Sequence, residues 1–415
     1  MPFVWIVRKS GILFAADAWA ELRGTRVTMP DLTAPGSDQQ LLLQCVRANR
    51  DASDRVKVLA QTVTDWNALA DAAEYHGLAA VLYRALDRAA PGLAPENIQN
   101  RLQNGYRDSA RRNLILTTQL LALLDIFAAE GIAVLPLKGP ALAELLYPDP
   151  LLRTFSDLDL LVREQDVPAS LRVLAREGYT LSPRLARLPF RALMRLDFQL
   201  LLHHPRKAPV DLQWDTAPAD FPFRFDPEIL WRSRTSISID GRQVLSLCPE
   251  TLLLYLCVHG TKHLWSRLQW LGDLARLVAM PPNWAGVSKL AAEAGCERPL
   301  LLGLLLAHDL LDAPVPEEIV AQARAQPIVQ TRANQVSHRL MRIPPVEPQG
   351  AEFTTFNAGM AERTRDKLRH YAALFKAPTD KELELFPLPE PLFFLYYPLR
   401  TVRLVLKYAQ QLARR

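Results

Sequence analysis

Two aspartates one residue apart, Asp157 and Asp159, stand near the end of the run Leu137–Val162, LKGPALAELLYPDPLLRTFSDLDLLV. A strand repeats every two residues, so both carboxylates of this D-x-D point to one face. Like charges side by side repel, which makes them poor core material and good ligands for a divalent cation such as Mg2+. Transfer of a nucleotidyl group needs its triphosphate held and its charge neutralised. It also needs an acceptor oxygen activated near the α-phosphorus, and two-metal sites do this with a small carboxylate cluster. A third acid should come from a neighbouring strand. VDLQW offers Asp211, with Gln213 and Asp215 on the same face. Asp211 is the first choice because an apolar residue flanks it on each side, and Asp215, at the strand's end, is the second. D-x-D alone is a weak signal, since solvated strands carry it too, with the acids capping turns and facing water.

Phosphate recognition is expected at the start of the same run. Gly139 sits between an apolar strand and a helix, where a glycine lets the backbone approach an anion and the helix amides point toward it. Pro140 suits the first helical turn but removes one of those donors. Lys138, Arg153 and Ser156 are placed to reach phosphate oxygens.

A second constellation lies downstream, in Tyr255, His259, Lys262, His263, Arg267, Trp270 and Asp273. Steps of three and four put Tyr255, His259, His263, Arg267, Trp270 and Asp273 on one stripe, provided a single helix runs through Gly260 and Ser266. Two histidines four apart can chelate zinc, but no Glu follows the first as in H-E-x-x-H, which argues against a zinc hydrolase. A buried stripe with satisfied hydrogen bonds explains these residues as readily as a pocket does. In the pocket reading Lys262 or His263 contacts phosphate, Trp270 packs against a base or acceptor, and Asp273 activates a hydroxyl. His203 and His204 stand at a strand end and are expected to face solvent, and Trp214 and Trp231 to be core.

The pattern K-G…R-x-x-S-D-L-D-L-L-V followed by V-D-L resembles the polymerase-β-like nucleotidyltransferase superfamily. That motif is a Gly-(Gly/Ser) turn, a D-x-D strand and a third acidic strand. The form here is similar to a bacterial branch known only as nucleotidyltransferase family proteins. The match runs through CPETLLLYLCVHGTKHLWSRLQWLGDLARL and so covers roughly Asp38 to Met280. Pro140 stands where Ser is usual, and the interval from Gly139 to Asp157 is longer than in minimal members. The resemblance implies transfer of a nucleoside monophosphate from an NTP, with ATP the expected nucleotide, and release of pyrophosphate. It further implies two Mg2+ ions on Asp157, Asp159 and Asp211. The acceptor is expected to be a hydroxyl on a small molecule or peptide. Two rivals remain: a catalytically inactive nucleotide-binding or scaffold protein of the same fold, and a metal-dependent phosphoesterase using the same acids.

The elements that position these residues follow from patterning. Residues 38–130 show apolar residues at helical spacing, with Gly131 as a C-terminal stop. Residues 131–247 change character. IAVLPLK is an apolar strand, PALAELLY a helix and LDLLV a strand. QDVPASLRVLAREG is a helix capped by Asp166 and stopped at Gly178. DFQLLLHH and PVDLQW form a hairpin, and SISI-DG-RQVLSL is a second hairpin with an Asp-Gly turn. Residues 248–341 return to helices, and 342–415 hold a Pro-rich linker and two further helical segments. Residues 1–37 read as an extension of uncertain role. The fold class is α+β: a mixed-sheet polymerase-β-like nucleotidyltransferase core flanked by N-terminal and C-terminal helical regions.

Composition sets outer limits. The 415 residues are too many for one compact core. They are 49% hydrophobic and 22% charged, which is ordinary for a folded soluble chain. The net charge of +5 suits an anionic ligand and equally suits an arginine-rich genome. No dense Lys/Arg tract carries interleaved aromatics, which argues against nucleic acid as the main partner. Cys45, Cys248, Cys257 and Cys296 form no C-x-x-C pair and no disulfide framework, so a cytoplasmic setting is expected. The two apolar runs before Ala20 are too short to span a bilayer. The last sixteen residues, RTVRLVLKYAQQLARR, form a basic amphipathic pattern. They are expected to pack on the domain, with membrane-surface contact as the minority reading.

Overall fold

The computed structural model describes residues 36–47, 53–183, 185–218, 221–348, 350–376, 388 and 390–403. The apolar runs before Ala20 and the basic stretch after Arg403 lie outside them.

The centre is a five-stranded mixed sheet in the order β1-β2-β5-β4-β3. Its strands are β1 (Leu135–Pro136), β2 (Leu158–Leu161), β3 (Thr180–Leu181), β4 (Gln199–His203) and β5 (Val210–Gln213). β2 and β5 run parallel, and the other pairings are antiparallel. The expected hairpin is the β4–β5 pair. The second hairpin is β6 (Arg234–Ile239) with β7 (Arg242–Leu247), turning at Asp240 and Gly241, both with positive φ. The run IAVLPLK contributes only two ladder residues, because Gly139 and a helix follow at once.

Each central strand is buried on both faces, and the two faces do different things. Leu158 and Leu160 of β2 and Val210 and Leu212 of β5 pack under α5 (Glu96–Ala129) and α7 (Val167–Arg176), against Leu116, Leu120, Phe127 and Leu174. The alternate residues, Asp159, Asp211 and Gln213, fall on the opposite face by the period of two. Helix α5 is long and apolar enough to cross a membrane. Here its apolar stripe covers the sheet, and Gln119 on it donates to Tyr179 Oη and the Ala208 carbonyl.

That opposite face looks toward a large helical layer. Its first members are α1 (Ser37–Val46), α2 (Ser53–Ala60), α3 (Trp66–Tyr75) and α4 (Ala79–Ala89). The chain returns to it, after α9 (Pro227–Arg232), with α10 (Pro249–Lys262), α11 (Leu268–Val278), α12 (Trp284–Ala294) and α13 (Glu297–Leu311). α14 (Glu317–Arg324), α15 (Pro327–Leu340) and α16 (Gly350–Met360) follow, then α17 (Thr364–Lys376). The helices before the sheet and those after it share one hydrophobic core, from Leu41 and Leu69 through Leu274 and Leu305 to Phe356 and Met360. The segments before residue 130, after 248 and after 342 therefore form one packed body on the side of the sheet that carries Asp159 and Asp211. Between them on that side lies α6 (Pro140–Leu146), with α8 (Phe190–Leu196) before β4.

Two local expectations change. Asp166 makes no side-chain cap to α7, because it ends a short 3-10 turn, 164–166, that leads into the helix. No single helix runs from Pro249 to Val278. α10 stops at Lys262, Leu264 and Trp265 adopt positive φ, and α11 starts at Leu268. The break is stabilised by burial. The Trp265 ring is fully buried and lies over Gly260, where a Cβ would come within 2.6 Å of the indole. Gly303 of α13 also touches the ring, with an added Cβ 2.9 Å from Trp265 Cζ2 and 2.7 Å from Cys257 Sγ. Gly260→Ala is expected to destabilise the protein by about 1–3 kcal/mol through overpacking, read as a lowered denaturant midpoint at unchanged slope.

Candidate active site

The parallel register sets Asp159 directly opposite Asp211, with Leu161 opposite Gln213. Gln213 Nε2 bridges the two acids, donating to Asp159 Oδ1 at 2.9 Å and to Asp211 Oδ2 at 3.2 Å. Asp159 Oδ1 also takes an ion pair from Lys138 Nζ at 2.9 Å. Asp211 Oδ1 is buried and has no hydrogen-bond partner. Asp157 enters from the residue before β2 and is partly buried. Asp215, the second choice for a third acid, is turned away: its carboxylate takes Arg224 Nε at 2.7 Å and the Thr216 N–H.

Three acids on one buried face leave an excess of negative charge, and the proton affinities register it. Burial pushes the Asp157 carboxyl up to about 6, with Asp159 adding to the shift and Lys138 and Arg153 opposing it. Burial also raises Asp211 well above the carboxylate range, reinforced by Asp159 and Asp157. Burial disfavours the Lys138 ammonium, but Asp159, Tyr255 and Asp157 more than offset this and hold its proton above the ordinary lysine value.

The wall facing the acids is α10 and the break after it. Lys262 Nζ donates to the Thr216 carbonyl at 3.0 Å and lies 4.6 Å from the centre of the Phe198 ring. Its pKa is lowered to about 8, by burial first and Lys138 second, against the pull of Asp211 and Asp159. His259, His263 and Trp270 converge although they sit on two helices and a turn. The imidazoles are 4.7 Å apart, and each meets the indole, at 5.3 Å and 5.7 Å. Burial, with Lys138 and Lys262 nearby, holds both histidines neutral. His263 therefore brings no positive charge to a phosphate, and what it offers is a neutral N–H. Tyr255 stacks on His259 at 6.2 Å.

Several expected phosphate ligands sit otherwise. Arg153 and Asp273, assigned to phosphate and to the acceptor hydroxyl, are both fully buried and paired with each other. Arg153 Nε reaches both carboxylate oxygens, at 3.1 and 3.2 Å, and Nη2 reaches Oδ2 at 3.0 Å. Tyr147 Oη donates to Asp273 Oδ1 at 2.8 Å. Neither residue is available to a ligand, because each is the other's charge partner across the sheet–helix boundary. Lys138 is engaged by Asp159. Ser156 is exposed beside Asp157. Gly139 adopts φ 60°, ψ −131°, which only glycine takes without strain, and it lies against the strand, 3.5 Å from the Asp157 carbonyl when given a Cβ. The helix it opens, α6, has seven residues with Pro140 first, too short and too poor in donors to be an anion site by itself.

Asp159 and Asp211 present carboxylate oxygens to this space from the sheet, the ligand type a hard divalent cation takes. Among the described residues no three His, Cys, Asp or Glu side chains stand close enough to hold an ion as they are. What fits is the unpartnered Asp211 Oδ1 opposite Asp159. Gln213 was placed on this face by the sequence, but its bridging role carries no sequence signal beyond the period of two.

A family model described as an uncharacterised nucleotidyltransferase matches residues 62–312, more than half of the chain. The matched span includes all three acids, Lys138, Gln213 and the α10–α11 break. Among solved structures, the chain is similar to an antigenic nucleotidyltransferase-like protein from Paracoccidioides brasiliensis. The two are 18% identical, and the match covers 48% of this chain and 94% of that one. Its TM-score of 0.29 is too low to carry a fold argument. No curated protein matches the chain.

Proposed function

The chain belongs to this uncharacterised nucleotidyltransferase family, and from that premise we propose a Mg2+-dependent transfer of NMP from an NTP, ATP first, to a hydroxyl on a small molecule or peptide. Pyrophosphate is the second product. The observation that carries the reading is the registered pair Asp159–Asp211, bridged by Gln213, with Asp211 Oδ1 buried and unpartnered. A buried carboxylate oxygen with no donor costs stability unless something fills the place. Asp157, Asp159 and Asp211 would hold the metal, which supplies charge neutralisation for the triphosphate and a lowered pKa for the acceptor hydroxyl.

The chain's own groups do the rest. Asp211 is the most enclosed of the acids, and its raised proton affinity suits it to receive the acceptor proton. Lys262 brings a cation to the wall facing the acids. The His259–His263–Trp270 cluster offers aromatic faces and neutral N–H groups to a base or an acceptor. Catalysis of this kind is mainly positioning and charge stabilisation.

The experiment is incubation of the full chain with Mg2+ and each NTP, followed by separate assays for pyrophosphate and orthophosphate. Pyrophosphate release that EDTA abolishes is the expected result, and orthophosphate alone would mark a phosphoesterase. The Lys138–Asp159 ion pair favours a second reading, a nucleotide-binding protein without turnover. Nucleotide binding with no pyrophosphate across a broad acceptor panel would support that one.

A further inference from the structure

We propose that Lys138 is a displaceable internal counter-ion: its ammonium occupies Asp159 until a divalent cation arrives, and then swings to the triphosphate. The proposal rests on the metal-dependent reading above and adds an order of events to it.

Three observations lead to it. Lys138 Nζ is ion-paired to Asp159 Oδ1 at 2.9 Å, and among the described residues this is the only ion pair on Asp157, Asp159 or Asp211. The same Oδ1 already accepts from Gln213 Nε2 at 2.9 Å, so the carboxylate keeps an amide partner when the ammonium leaves. The backbone under Lys138 is fixed, and its ammonium is held at the end of a flexible stem by the one ion pair. Leu137 N–H donates to the Asp159 carbonyl at 3.1 Å, and Gly139 is held in a glycine-only turn against the strand. The Lys138 side chain nonetheless keeps 17% of its surface exposed. A four-carbon stem on a fixed root lets the ammonium move several ångströms without backbone change.

A cation binding at Asp159 and the open Asp211 Oδ1 competes with Lys138 for one oxygen. The displaced ammonium would be left without a carboxylate partner, and an incoming triphosphate would offer it an anionic one. Ligands acting through a shared two-position element are coupled, each raising the other's affinity by one factor.

The test compares the full-length protein with Lys138→Met and Lys138→Gln, after thermal melts show that each variant folds. Mn2+ affinity without nucleotide is measured by electron paramagnetic resonance. Affinity for α,β-methylene ATP is measured at saturating Mn2+ by titration calorimetry. The expected result is a split: Mn2+ binds at least about fivefold tighter to both variants, and the nucleotide at least about fivefold weaker, since even an exposed ion pair is worth up to about 1 kcal/mol and this one is mostly buried. Tighter Mn2+ with unchanged nucleotide overturns the swing and leaves a static counter-ion. Unchanged Mn2+ with weaker nucleotide overturns it and leaves a plain phosphate ligand. Weakening of both overturns it in favour of a structural role. If the unsubstituted protein binds neither probe, the metal-dependent reading itself fails and takes this proposal with it. If it binds both and the variants match it, only this proposal fails.

Discussion

Asp211→Asn is expected to abolish pyrophosphate release while making the metal-free protein more stable above neutral pH. The loss of turnover should be at least about 10²–10³-fold, the range for removing one preorganised charge-stabilising group. Stability moves the other way because the folded protein keeps this acid against its preference. Burial, then Asp159 and Asp157, raise the Asp211 pKa well above the ordinary value of 3.8. A group whose folded pKa is raised binds protons more tightly in the folded state, so folding loses stability as pH rises past the unfolded value. The loss grows until the folded pKa is passed and is fully present above it. The cost therefore accumulates upward from about pH 4, the unfolded carboxylate value, until the raised folded pKa of Asp211 is passed. The asparagine amide removes the charge and brings a donor. In EDTA the melting temperature of Asp211→Asn should therefore exceed that of the parent at pH 8, with the difference gone near pH 4. With saturating Mg2+ the advantage should shrink, since a cation held by Asp157, Asp159 and Asp211 would stabilise the parent more than the variant. Melting curves at the two pH values, with and without Mg2+, together with a pyrophosphate assay, check all parts. A variant less stable than the parent at pH 8 would mean that Asp211 is held by interactions the geometry does not show.

How much of this was legible in the sequence depends on distance along the chain. The alternation in LDLL and VDLQ placed Asp159, Asp211 and Gln213 on one face, because a strand's period of two is local and the hydrophobic partners declare the other face. The Asp-Gly turn and the helix stops at Gly131 and Gly178 were local as well, and all of these glycines have positive φ. The parallel register that sets Asp159 against Asp211 was not written locally, since 48 residues, 162–209, separate the two strands. The break after Lys262 was missed for a different reason. Leu264 and Trp265 adopt positive φ with no glycine to announce it, and the strain is tolerated because the Trp265 ring fills the space between Gly260 and Gly303. The stripe that assumed a continuous helix nevertheless found His259, His263 and Trp270, because the turn folds the second helix back beside the first. Charged residues were the least legible. Lys138, Arg153 and Asp273 all read as ligand-facing, since a sequence lists charges but not their partners, and Arg153 and Asp273 are 120 residues apart.

That last pair carries the largest expected effect on stability. Arg153 and Asp273 keep only 4% and 1% of their side-chain surface exposed and are joined through two guanidinium nitrogens. Around them Tyr147 Oη donates to Asp273, and the Arg276 guanidinium lies 4.3 Å from the centre of the Tyr147 ring. The backbone is tied in from both sides. Asn113 of α5 donates to the Arg153 carbonyl at 2.8 Å, and Gln269 of α11 to the Thr154 carbonyl at 2.9 Å. The turn that delivers Asp157 and Asp159 thus hangs between α5 and α11, with the ion pair at its centre. Removing one partner leaves the other charge buried and uncompensated, which costs about 3–5 kcal/mol. Asp273→Asn and Arg153→Met should each lose that much in chemical denaturation. An Arg153→Met/Asp273→Leu double variant should recover most of it, since apolar replacement of a whole buried pair is often neutral. An acceptor-activating Asp273 would behave oppositely, with stability nearly unchanged, kcat reduced and no rescue by the double change. A double variant that folds with parental stability and retains turnover would assign the pair to holding the D-x-D strand in place, because an activating carboxylate cannot be replaced by leucine.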